Sequence, residues 1–264
     1  MERAPRNDWD WTSAVLLTAA LLTAAYRLLL TRWAPGLDVG YTAALLGCAL
    51  GLALGASRFG HKTVLVLSAA YTAVILPWLL TTIVESQPQA LATLGNIGGR
   101  LGFAAGQVAG RKPVQDPLLF LAVMTVLFWV MSMHSAFFLV RRRNVLVSIL
   151  PAALGIILIQ YYDPYYNSRL WVVGFFFFLA LALAARVHLM ERAEAWRAGR
   201  VFITPEAAYD LTTAALLTAA IVVLAAWAVP EMGSPVEAAR TVWQQVTAPL
   251  SGVRERLNDV LSPL

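Results

Sequence analysis

Cysteine, histidine and charged residues are scarce in this sequence. Its 264 residues include one cysteine and three histidines, and only 13% are Asp, Glu, Lys or Arg. The single cysteine, Cys48, excludes an intramolecular disulfide and a cysteine-based metal cluster. The low charge excludes an ordinary soluble domain, because such a domain needs a solvated polar surface.

Patterns that carry catalysis or metal binding are also missing. No second imidazole stands at ligand spacing from His61, His134 or His188, so we expect no metal site. The sequence has no nucleophile elbow, no glycine-rich phosphate loop and no paired carboxylates. We therefore expect a chain that is not an enzyme and holds no cofactor.

Long apolar segments dominate what is present. Hydrophobic residues make up 59% of the chain, and its mean hydropathy is +0.66. A helix needs about 20 residues to cross a hydrocarbon core. Segments of about this length cover residues 11–30, 39–57, 64–84, 117–140, 145–162, 170–190 and 210–229. The sequence predicts an all-α, polytopic transmembrane helical bundle of about seven spans over residues 1–229, followed by an amphipathic tail over residues 230–264.

The distribution of Lys and Arg predicts the orientation of the bundle. With the N-terminus inside, eleven of the 20 basic residues fall on the cytoplasmic side, and six of the other nine lie in a long loop or tail, where the rule carries less weight. We expect an N-in, C-out protein of the plasma membrane with an extracytoplasmic tail. The net charge of +5 then favours anionic lipid, and not nucleic acid, as a partner. The residues predicted to lie at the lipid interface are Arg141, Arg142, Arg143, Arg192, Trp196, Arg197 and Arg200.

Two glycine-rich segments carry packing predictions. Gly47, Gly51 and Gly55 recur every fourth residue in the second span, which favours close helix packing, either within the bundle or between two copies. Residues 85–116 form a long outer loop with six glycines. In this loop we expect a helix against the outer membrane face, with four apolar residues: Leu91, Leu94, Leu101 and Phe103.

Ionisable residues are absent from the predicted centres of the spans. Arg27 and Arg186 lie near span ends, where a long side chain can reach the interface. The outer side carries carboxylates that look isolated in sequence: Asp38, Glu85, Asp116 and Asp163. Transport usually needs polar groups within the membrane. This pattern therefore disfavours a transporter without excluding one.

Several segments resemble a known family. Residues 51–58 close the second span, Asp116 to Phe120 with Trp129 open the fourth, and residues 136–143 end it, while Pro151, Gly155 and Trp243 also fit. In these positions the chain is similar to the N-terminal membrane domain of the bacterial transglutaminase-like membrane proteins. The resemblance implies an extracytoplasmic papain-like domain whose Cys-His-Asp triad would follow Leu264, so no catalytic residue can be carried over to this chain.

These observations predict a non-catalytic membrane anchor or scaffold that presents an extracytoplasmic domain or partner. The alternative is a small-molecule or lipid transporter, or a channel subunit. Sparse intramembrane polarity favours the scaffold.

Overall fold

The computed structural model describes residues 10–83, 90–110, 112, 116–163, 169–199 and 205–228. Within these ranges the chain forms eight α-helices and no strand. The helices are α1 (Trp11–Thr31), α2 (Asp38–Ala56), α3 (His61–Thr81), α4 (Ala90–Ala109), α5 (Leu118–Arg142), α6 (Val145–Tyr162), α7 (Leu170–Ala198) and α8 (Pro205–Ala228). The predicted tail, Glu85, Arg200 and Trp243 lie outside the described residues.

Six helices are long and apolar enough to cross a membrane, namely α1, α2, α3, α5, α6 and α7. Each begins within three residues of its predicted start. The predicted seventh span falls in α8, whose described apolar part, Thr213–Ala225, is shorter than the other six. The all-helical class is confirmed, and the architecture is consistent with a multi-pass helical membrane bundle. The number of spans and the orientation stay predictions.

Helices α2 and α5 form the most extensive contact in the bundle. A Cβ atom at Gly47 would lie 2.6 Å from the carbonyl oxygen of Trp129, and one at Gly51 would overlap the carbonyl oxygen of Met133. At Gly55 the same atom would lie 2.9 Å from the Cβ of Val140. Because the obstacles are largely backbone atoms, no side-chain movement can make room for a larger residue. The glycine stripe of α2 therefore faces α5 of the same chain.

Helix α1 occupies the middle of the packing and contacts α2, α6 and α7. Its side chains Leu17, Leu21 and Leu28 are completely buried, with Phe128 and Phe176 in the same apolar cluster. Lipid tails are as apolar as leucine, so burial itself gives little driving force here, and tight van der Waals contact must hold the helices together. Small residues on α1 permit that contact at three buried positions: Ala20, Ala24 and Ala25.

Hydrogen bonds between helices define two ends of the bundle. Arg141 at the end of α5 donates from Nη1 to the carbonyl oxygen of Ser57 over 2.7 Å, just after α2, so α2 and α5 run parallel. Arg186 in α7 donates to Asp10, which precedes α1, so α1 and α7 run antiparallel. We call the end of the bundle that carries these two contacts the Asp10 end. At the opposite end, α1 and α6 finish beside the start of α7. We call that end the Asp163 end.

The segment 85–116, which was predicted to be an outer loop, does contain a helix, α4, which packs on α3 and α5. Its buried face is formed by Thr93, Ile97 and Ala104. Of the residues expected to face the membrane, Leu94 and Phe103 are exposed, whereas Leu101 packs partly against the cluster around Ile97. The side chain of Leu91 lies outside the described residues. The opposite face of α4 borders open space. A Cβ atom added at any of five glycines on this face would meet nothing within 4 Å: Gly95, Gly98, Gly99, Gly102 and Gly106.

Replacing a glycine with alanine should affect stability in opposite ways in α2 and in α4. We expect Gly51→Ala to destabilise the bundle by about 1–3 kcal/mol, because α2 and α5 must move apart. The matched control, Gly102→Ala in α4, adds a methyl group to open space and should be neutral or stabilising by up to about 1 kcal/mol. Reversible unfolding of the full chain in mixed micelles, followed by tryptophan fluorescence, measures both. Equal effects at the two positions would contradict the packing described here.

Candidate functional site

Seven of the nine buried polar residues in the described bundle are Ser or Thr, and three of their hydroxyls bond to backbone carbonyls of their own helix or its cap. Thr125 donates to the carbonyl oxygen of Leu121 over 2.7 Å, and Ser148 donates to that of Asn144 over 2.8 Å. Such bonds satisfy the hydroxyl without linking helices. Two charged residues, Arg27 and Asp163, stand apart from this pattern because they are buried and connect different elements.

Arg27 and Asp163 form a fully buried ion pair at the Asp163 end. The Nη2 of Arg27 lies 2.7 Å from Oδ2 of Asp163, and neither side chain is exposed. The same guanidinium donates from Nε and Nη2 to Oε1 of Gln160, over 2.9 and 2.8 Å. Arg169 adds a second guanidinium, with Nη1 at 2.9 Å from Oδ2 of Asp163. We call these four residues the Arg27 cluster.

Local structure brings these side chains together. Arg27 lies in the last turns of α1, Gln160 lies in the last turn of α6, and Asp163 caps α6 in an extended conformation. The backbone N–H of Asp163 donates to the carbonyl oxygen of Ile159 over 3.1 Å, which fixes where its carboxylate leaves the helix. Arg169 immediately precedes α7. One cluster therefore joins the ends of α1 and α6 to the start of α7.

Burying these charges costs several kcal/mol of desolvation free energy per ion, and short charge-assisted hydrogen bonds are needed to offset that cost. A buried pair is thus better at fixing a unique arrangement than at adding net stability. The described side chains hold two guanidinium groups and one carboxylate, and Nη1 of Arg27 is buried without a hydrogen-bond partner. The described part of the cluster therefore acts as a geometric clamp.

The structure corrects three expectations about charged residues. Arg27 does not extend to the interface, because its guanidinium turns inward to Asp163. Asp163 is not isolated, since it binds Arg27 and Arg169. Asp116 is not isolated either, because it accepts hydrogen bonds from Nε and Nη2 of Arg100 over 2.7 and 2.8 Å. Each pairing joins residues that only the fold brings close, so spacing along the chain did not reveal it.

The Arg100–Asp116 pair fastens α4 to the start of α5. One oxygen of Asp116 also accepts the backbone N–H of Leu118 over 3.0 Å, so the carboxylate caps the first turn of α5. The hydrogen bond from Arg100 lowers the pKa of Asp116 below its ordinary value of 3.8, against a smaller opposite effect of burial. The same bond raises the pKa of Arg100.

The residues predicted at the lipid interface have several protein contacts. Arg141 donates to the carbonyl oxygens of Ser57 and Phe59, and the guanidinium of Arg142 lies 5.0 Å from the ring centre of Phe138. Arg143 ends α5 in the left-handed conformation, with φ 50°. Arg192 is exposed and Trp196 is half-buried, while the side chain of Arg197 lies outside the described residues. Lipid contact at these positions stays a prediction.

His134 and Cys48 each contact another side chain of the bundle. His134 packs its ring 4.3 Å from that of Phe138, and Cys48 is buried, with its Sγ 3.3 Å from the hydroxyl of Thr18. Among the side chains that the structure describes, no three His, Cys, Asp or Glu residues are grouped as metal ligands would be. The Arg27 cluster contains the two charged residues that are fully buried in the described part of the chain.

Removing one member of the buried pair should be costly. We expect Arg27→Ala to lower the free energy of unfolding by about 3–5 kcal/mol, because Asp163 loses its buried partner. The control Arg142→Ala removes an exposed guanidinium at the other end and should cost less than about 1 kcal/mol. Unfolding in mixed micelles measures both losses. An Arg27→Ala loss as small as that of the control would show that the cluster is not a clamp.

Acidification should release α4. Because the folded pKa of Asp116 is depressed, the pair contributes stability above the unfolded pKa and loses it as pH falls through the folded pKa. The stability difference between wild type and Asp116→Asn should thus be constant above about pH 5 and shrink steadily below about pH 4. Unfolding measured from about pH 6 to pH 3 tests this. A difference that does not change with pH would contradict the pairing.

Comparison with protein-family models, curated proteins and solved structures finds no match to this chain. The resemblance to transglutaminase-like membrane proteins therefore stays a prediction.

Proposed function

We propose that this chain is a non-catalytic membrane anchor and scaffold of the plasma membrane, with seven spans in an N-in, C-out orientation. In this role it presents an extracytoplasmic domain or partner, as the resemblance to the transglutaminase-like membrane proteins implies. The observation that carries the proposal is the placement of charge in the described bundle. Ion pairs hold the helix ends, and the buried polar groups between those ends are hydroxyls.

The ion pairs support a scaffold because each fixes one helix against another. Asp10 binds Arg186 at 3.2 Å across α1 and α7, and Arg27 binds Asp163 at 2.7 Å at the opposite end. A transporter that alternates between two open states would have to break such contacts in each cycle. Membrane transport also uses ionisable groups along the substrate path. The described spans place their charges at the ends.

The basic residues of two short connections support the orientation. Arg58 and Lys62, after α2, are exposed, as are the three arginines that end α5, and the bonds from Arg141 to Ser57 bring both connections to the Asp10 end. Short loops rich in Lys and Arg favour the cytoplasmic side. The Asp163 end and α4 would then face outward. There α4 leaves its glycine face and Phe103, 71% exposed, open to a partner.

The alternative, a transporter or channel subunit, has one observation in its favour. The hydroxyl oxygens of Ser132 and Ser135 in the middle of α5 are buried without a hydrogen-bond partner among the described residues. Two hydroxyls offer little stabilisation to a permeating solute. The ion pairs at the helix ends therefore favour the scaffold more strongly than these hydroxyls favour a transporter.

Topology reporters test the proposal directly. We expect alkaline phosphatase, which is active only outside the cytoplasm, to be active when fused after Leu264 and inactive when fused after Asn144. A green fluorescent protein fused at the same positions should give the opposite pattern. An inactive phosphatase after Leu264 would remove the outward-presenting role, while the Asn144 fusion shows independently whether the Asp10 end is cytoplasmic.

A further inference from the structure

A cavity of about 380 Å³ opens at the Asp163 end, separate from the Arg27 cluster. Its walls come from the loop before α2, the start of α2, the residues after α3, one side of α4 and the start of α5. This volume lies within the range of about 300–1,000 Å³ typical of small-molecule sites. Ten residues line it: Pro35, Gly36, Asp38, Val39, Thr82, Ile83, Arg100, Pro117, Leu118 and Leu121.

The apolar part of the cavity is built into the bundle. Val39, Leu118 and Leu121 are buried residues of α2 and α5, the helix pair that cannot separate without breaking the glycine contact. Gly36 adopts φ +89°, where an added Cβ would lie 3.4 Å from Cγ2 of Ile83. A side chain there would be strained and would press on the cavity wall. This wall is therefore rigid and preformed.

The polar part of the cavity contains one exposed carboxylate that has no partner among the described residues, that of Asp38. Arg100 is paired with Asp116 through two of its donors, Nε and Nη2. Asp38, in contrast, makes no hydrogen bond or ion pair with any residue that the structure describes, although it lines the same cavity. An open carboxylate attracts a cation with N–H donors. Arg100 uses Nε and Nη2 for Asp116, which leaves the Nη1 donors for an anion.

We propose that this cavity binds a zwitterion of the phosphoethanolamine type, with its ammonium on Asp38 and its phosphate on Arg100. The methylene groups between the two charges would lie against Val39, Leu118 and Leu121. The cavity holds a head group but is too small for acyl chains as well. The same chemistry is offered by a phosphatidylethanolamine in the surrounding bilayer and by a free phosphoethanolamine ester. This inference does not depend on the scaffold role.

Binding of soluble probes to the full chain in detergent tests the proposal. We expect phosphoethanolamine to bind about tenfold more tightly than phosphocholine, which has no N–H donors, or inorganic phosphate. Asp38→Asn should lose about the same factor, and Asp38→Glu should restore part of it. The matched control Glu191→Gln neutralises an exposed carboxylate of α7 and should bind like wild type. Thermal unfolding of each variant without ligand shows that the fold is kept.

A lipid arm separates the two sources of the ligand. In nanodiscs of phosphatidylcholine with or without phosphatidylethanolamine, native mass spectrometry counts the phosphatidylethanolamine molecules retained by wild type and by Asp38→Asn. Retention that depends on Asp38, with no binding of the soluble probe, supports the site with a lipid as its source. Dependence on Asp38 in the soluble arm supports the site with a free ester. If Asp38→Asn matches wild type in both arms, the proposal is overturned.

Discussion

The backbone contact between α2 and α5 is the constraint on which the rest of this bundle depends. Where Gly47 and Gly51 meet the carbonyl oxygens of Trp129 and Met133, there is no room for a single added carbon atom. Close approach maximises van der Waals contact, which is the main attraction between helices in lipid. It also fixes the relative height of the two helices. The loop after α2 then meets Arg141 at one end, and the cavity forms at the other.

Charged side chains complete this arrangement at the helix ends. The Asp10–Arg186 pair joins α1 to α7 at one end, and the Arg27 cluster joins α1, α6 and α7 at the other. Because α1 also packs on α2, these clamps connect α6 and α7 to the α2–α5 pair. A membrane protein built in this way has a fixed interior. Contacts with a partner or a ligand can then form at its ends. Both α4 and the cavity lie at the Asp163 end.

Hydropathy predicted the helices well because a span in lipid has to be an apolar helix of nearly fixed length. Six predicted starts lie within three residues of those observed, whereas α7 continues to Ala198, well past the predicted end at residue 190, since helix beyond the membrane need not be apolar. The spacing of Gly47, Gly51 and Gly55 predicted a close contact but not its partner. Arg27 was predicted near a span end and Asp163 on the outer side, so their opposite charges were the available signal. Their pairing depends on which helices are neighbours, and periodicity does not specify that.

Distances across the α2–α5 pair test the claim of a fixed interior most directly. Spin labels would be placed in a Cys48→Ala background, at Tyr41 and Val123 near the Asp163 end and, separately, at Arg58 and Arg142 near the Asp10 end. Double electron–electron resonance in lipid nanodiscs should give one narrow distance distribution for each pair. Two populations at each end, with the distance increasing at one end as it decreases at the other, would show alternating access and contradict the scaffold.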